Sequence, residues 1–131
     1  MNDVINRLLS PDNLWDRSMI LGRPCPVPQA SGVYAWYFKN IPSIVPASNC
    51  NELGNYKLLY VGIAPSSGTS SATLRSRIRT HFRANASGST LRLTLGCILR
   101  EQLGLRLQPT GRTARLTFMD GESILSGWLG N

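Results

Sequence analysis

The apolar positions along the chain change period several times, and each change predicts an element boundary. Residues 3–9 and 12–20 space their apolar side chains as two short helices. Ser10-Pro11 supplies an N-cap and a first helical residue for the second. Leu14, Trp15 and Ile20 are its expected inward residues. The alternate prolines of Arg23-Pro24-Cys25-Pro26-Val27-Pro28 fix φ and remove backbone donors, so this segment is an extended lead-in. Residues 33–38 are β-branched and aromatic and predict a strand, with Tyr34, Trp36 and Phe38 on one face and Val33, Ala35 and Tyr37 on the other. After a polar loop over 40–55, residues 57–61 predict a second strand, paired antiparallel with the first.

A loop of Ser, Gly, Thr and Pro over 64–73 leads to a helix over 74–85, capped by Thr73. Leu74, Ile78 and Phe82 form its apolar stripe. Arg77 and His81 lie along one margin, whereas Arg75, Arg79 and Arg83 start at the other. A further helix over 90–103 ends at Gly104, residues 115–119 alternate as a third strand, and Asp120 caps a last helix bearing Ile124, Leu125, Trp128 and Leu129. The order predicts an α+β fold: a small three-stranded mixed or antiparallel sheet flanked by helices. Residues 1–30 form a helical and Pro-rich lead-in packed on a domain spanning 31–131.

Composition narrows the class. In a chain of 131 residues, 42% hydrophobic and 16% charged residues are globular values. No apolar run is long enough to span a bilayer, and the N-terminus lacks the apolar core of a signal peptide. Cys25, Cys50 and Cys97 are scattered and odd in number, which argues against a disulfide framework or a zinc site. A cytoplasmic protein with reduced thiols is expected. The net charge of +7 is localised: residues 53–100 hold seven Lys and Arg and no Asp or Glu, and the remainder is neutral. Such a field suits phosphate, with Lys57, Arg75, Arg79, Arg83 and Arg92 as the candidate nucleic-acid contacts. A solvated arginine face is the plainer alternative.

The chemistry on offer is two strand tyrosines and an Arg/His pair one helical turn apart. Gly32-Val33-Tyr34, then Tyr60-Val61-Gly62, then Arg77 with His81 four residues later, resembles the GIY-YIG endonuclease superfamily, with its motifs present as GVY and YVG. The stretches YAWYF, LLYVGIAP, LRSRIRTHF and GSTLRLTLGC are similar to one uncharacterised, mostly bacterial branch of it. The resemblance implies metal-assisted hydrolysis of a nucleic-acid phosphodiester, DNA first. One divalent ion, Mg²⁺ or Mn²⁺, would assist. Tyr34 would be the general base, Tyr60 would hold water or phosphate, Arg77 would stabilise the developing charge, and His81 would relay a proton. A tyrosine pKa near 10 makes a poor base unless a cation such as Arg77 or a metal lowers it. The family's metal-binding glutamate follows its third strand. Glu122 occupies that place, and the other placement puts the ligand on a later helix beyond this chain. The competing readings are a shortened domain that binds nucleic acid or a partner without cutting, and an interaction module whose tyrosines are structural. Oligomeric state is left open.

Overall fold

The computed structural model describes residues 2–65, 68, 71–83, 89–109, 116–119 and 121–130. They fall into two compact units, Met1–Arg77 and Ile78–Asn131. No helix among the described residues is long and apolar enough to cross a membrane.

The first unit opens with α1 (Asn2–Leu9) and α2 (Arg17–Leu21). The second helix is shorter than its apolar spacing predicts, because its cap is Asp16. That carboxylate accepts from Met19 N at 3.0 Å and from Ser18 Oγ at 2.8 Å, so helical geometry starts only at Arg17. The sheet is β1 (Gly32–Phe38), β2 (Glu52–Leu53) and β3 (Tyr56–Ala64), in the order β1-β3-β2 and antiparallel throughout. The fold is thus α+β with a small three-stranded antiparallel sheet, as expected. Its third strand, however, is β2. A two-residue turn joins β2 to β3, with Gly54 at φ +62°, the left-handed geometry that glycine adopts without strain. Buried Tyr34, Phe38, Val27 and Ile20 form this unit's core.

Two polar side chains moor α1 to the sheet. The Tyr37 hydroxyl donates to Leu8 O at 2.7 Å and reaches Leu9 O at 3.3 Å, and Asn51 Nδ2 donates to Leu9 O at 2.9 Å and to Tyr37 Oη at 3.0 Å. The last-turn carbonyls of a helix have no intrahelical donor, and these groups supply one.

Helix α3 (Leu74–Arg83) begins in the first unit and continues into the second. Thr73 caps it as expected: Thr73 Oγ1 accepts from Ser76 N, and Ser76 Oγ accepts from Thr73 N, a reciprocal box with serine in place of the usual Glu or Gln. Residues 84 and 85, expected to extend the helix, lie outside the described residues. The second unit continues with α4 (Thr90–Ile98) and α5 (Arg100–Leu103), split at Leu99, whose φ of −91° and ψ of 6° interrupt the expected single helix. Gly104 closes α5 at φ 66°. The short strands β4 (Gln108–Pro109) and β5 (Leu116–Thr117) pair with each other, so the segment expected as the third sheet strand forms a separate two-stranded ribbon. Arg115 and Asp120 lie outside the described residues. Helix α6 (Gly121–Gly130) buries Leu125 and Leu129 with Leu91, Leu95, Leu99 and Phe118. A Cβ on Gly96 would overlap the Phe118 ring, so a glycine inside α4 is the condition for that ring's seat.

The mooring of α1 is open to a direct test. Tyr37→Phe removes the donor to Leu8 and Leu9 and the acceptor of Asn51, and is expected to lower the unfolding free energy by about 1–2 kcal/mol. Urea denaturation should show a lower midpoint at unchanged slope. An unchanged midpoint would show the hydroxyl to be dispensable.

Candidate active site

The site is built from the register of two strands. Residues directly opposite in an antiparallel pair share a face. Tyr34 pairs with Gly62 and Trp36 with Tyr60, so Tyr34, Trp36 and Tyr60 project from the same side. The shift in register between Trp36 and Tyr37 leaves Leu59 without a partner on β1, a one-residue bulge next to Tyr60. Tyr34 lies diagonally across from Tyr60, with ring centroids 6.2 Å apart and planes tilted by 38°. Gly62 makes room for this. A Cβ there would overlap Cζ and Oη of Tyr34, so the tyrosine can lie across β3 only over a residue without a side chain. The first motif's tyrosine and the second motif's glycine are one packing unit.

Arg77 comes to the same place from α3. The helix start is tied to the segment just before β1 by Leu74 N donating to Ala30 O at 2.8 Å, and the Leu74 side chain packs against Gly32. One turn on, Arg77 hydrogen-bonds the Tyr34 hydroxyl, which also bonds Tyr60. Tyr34 is 6% exposed, and Tyr60 and Arg77 are half-buried. The Tyr34 phenol is pushed up to about 12, first by burial and then by the neighbouring Tyr60, and the Arg77 charge offsets only part of this. The arginine is therefore present but does not make Tyr34 a base for neutral pH. Only about one Tyr34 in 10⁵ would be ionised at pH 7. What stands ready is a neutral hydroxyl held between a second hydroxyl and a guanidinium.

Each of the other expected site residues has its own surroundings. His81, one turn beyond Arg77, belongs to the second unit, where it is fully buried with Nδ1 2.6 Å from Ser89 Oγ. Ser89 in turn caps α4, its Oγ accepting from Arg92 N at 3.1 Å. Among the basic residues, Arg83 is exposed and Arg79 half-buried. Lys57 pairs with Glu52 at 3.2 Å and donates to Ala47 O at 3.0 Å. Arg75 donates through Nε to Val27 O at 2.7 Å, holding the Pro-rich lead-in. Arg92 is fully buried: its guanidinium donates to Glu122 Oε1 through Nη2 at 2.9 Å and through Nε at 3.2 Å. Glu122 Oε2 accepts from Thr117 Oγ1 at 2.8 Å and Phe118 N at 2.9 Å. The Gly-Ser pair before an apolar helix signals Ser89 as a cap, whereas nothing in sequence spacing signals Thr117.

The direction of the Tyr34 shift has a consequence for alkaline behaviour. Its folded-state value lies above the unfolded one, so its contribution to stability is complete below pH 10 and is lost as pH rises toward 12. In an ultraviolet titration of the four tyrosines, Tyr34→Phe is expected to remove the last ionisation. If the last transition survives the substitution, Tyr34 is not the shielded phenol.

Residues 32–131 match the family described as the GIY-YIG catalytic domain. Neither a curated protein nor a solved structure matches the chain. The family match covers about three quarters of the sequence and starts at the glycine that opens β1. It includes both motif strands and the helix that brings Arg77 to them. This chain therefore belongs to the GIY-YIG family, whose catalytic domain carries a nuclease-type function.

Proposed function

We propose that the protein is an endonuclease that hydrolyses phosphodiester bonds in nucleic acid, with DNA as substrate, and that Tyr34, Tyr60 and Arg77 carry the reaction. The observation that supports this reading is the convergence of the two motif tyrosines and the arginine on one hydroxyl. In hydrolysis, water adds to phosphorus and gives up a proton, the bond from phosphorus to the leaving sugar oxygen breaks, that oxygen takes up a proton, and negative charge gathers on the phosphoryl oxygens. The Arg77 guanidinium offers donors for that charge. Tyr34 and Tyr60 orient the incoming water and a phosphate oxygen as neutral hydroxyls. Proton relay by His81 is part of the proposal, and its Nδ1 lies 2.6 Å from Ser89 Oγ. Of the candidate phosphate grips, Arg83 and Arg79 retain that role. Placement in the cytoplasm is part of the proposal, and the three free cysteines agree with it.

Nucleases of this family generally use a divalent metal ion. The donor set here does not fit one at Glu122. A carboxylate has about four lone-pair positions, and Arg92, Thr117 and Phe118 take all four. No cluster of three or more His, Cys, Asp or Glu able to hold a metal occurs among the described residues. The saturated carboxylate favours a second reading, in which the domain binds nucleic acid without cutting it.

A supercoiled plasmid separates the two. The wild type is expected to nick it with Mg²⁺ or Mn²⁺ present, and Arg77→Ala and Tyr34→Phe are each expected to slow nicking by about a hundredfold or more. A well-folded wild type that retains plasmid in a gel shift and leaves it intact would establish the binding reading instead.

A further inference from the structure

We infer that Glu122 is the counter-ion of Arg92 rather than a metal ligand, and that the pair positions the C-terminal end of α3. The inference starts from a count of donors and acceptors. A guanidinium has five N–H donors and no acceptor, and at Arg92, fully buried, every one is engaged. Nε and one Nη2 hydrogen go to Glu122 Oε1, and the other Nη2 hydrogen goes to Glu122 O at 2.7 Å. Nη1 donates to Ser126 Oγ at 2.8 Å and is shared between His81 O and Phe82 O, both at 3.2 Å. Arg92 therefore gathers the last carbonyls of α3, the start of α6 and the next turn of α6 around one charge.

Glu122 matches it. Its Oε1 is turned wholly to the guanidinium, and its Oε2 closes the turn between β5 and α6 through Thr117 and Phe118. Met119, at φ 53°, bends the chain so that the carboxylate can reach back to Phe118 N. A divalent cation on this carboxylate would have to displace one of these donors and then sit beside a buried positive charge. Both changes oppose binding, and loss of Glu122 leaves a buried guanidinium without its partner, the strongly destabilising case. Arg92 donates to the His81 and Phe82 carbonyls in the last turn of α3, so it serves as a cap there, and Glu122 holds the cap in place.

The test uses the whole chain, with Mn²⁺ alone as the probe. Glu122→Gln is expected to lower the melting temperature by about 5 °C or more and to abolish the slowly exchanging Nε–H signal of Arg92 in a ¹H–¹⁵N spectrum. An unchanged melting temperature with the signal intact would overturn the assignment. Because a single variant can fail to fold, the double variant Arg92→Met/Glu122→Leu is measured against Glu122→Leu. It is expected to melt higher than that single variant, since no charge is left unpaired, and to bind Mn²⁺ within twofold of wild type by electron paramagnetic resonance. A folded double variant with Mn²⁺ affinity at least tenfold weaker would identify Glu122 as a ligand and overturn the inference. Plasmid nicking on the same preparations keeps the questions apart. A wild type that does not nick removes the cutting reading and leaves the pair as assigned.

Discussion

A guanidinium taken wholly out of water must find a partner for every hydrogen it carries, and the second unit is built around meeting that demand. A guanidinium offers five donors and no acceptor, so the chain around Arg92 has to supply acceptors. It does so with five acceptors: two carbonyls at the end of α3, a carboxylate and a carbonyl at the start of α6, and a hydroxyl one turn later. The apolar core of Leu91, Leu95, Phe118 and Leu125 would pack acceptably in several registers, because methyl groups are not directional. The five hydrogens of Arg92 are directional, and they select one register.

The first unit solves a different problem, which is to keep a polar hydroxyl in a mostly apolar sheet face. Tyr34 is seated by what is missing across from it. Without a Cβ at Gly62 the ring crosses β3, and its hydroxyl arrives where Tyr60 and Arg77 can meet it. The same burial that fixes the ring withholds ionisation. Precise placement and a low phenol pKa therefore oppose each other here, and the fold favours placement.

Much of this was legible in the sequence. The two motif strands, their antiparallel pairing, the Thr73 cap and the Gly104 stop follow from side-chain period and local capping chemistry. The misplaced third strand has a local cause: Leu53-Gly54-Asn55-Tyr56 is a two-residue hairpin turn embedded in a polar, proline-broken loop, which hid it. The start of α2 was missed because Ser10-Pro11 and Asp16 compete for the same role, and the carboxylate prevails. Charge was the least readable property. A run without acids from 53 to 100 suggests an outward field. Yet Lys57 is paired with Glu52, Arg75 is turned to backbone carbonyls and Arg92 is internal. Sequence spacing shows which residues carry charge but not which way long side chains turn, and Glu122 lies thirty residues from the arginine it neutralises.

The mooring of α1 is made by side chains of the sheet unit acting on backbone carbonyls of the helix. Tyr37 and Asn51 recognise Leu8 and Leu9 through their oxygen atoms alone. An attachment of that kind is indifferent to what the helix displays. The outward residues of α1, Val4 and Ile5 among them, can be exchanged without unfastening it. A segment preceding the catalytic domain is thereby free to change its surface while keeping its address.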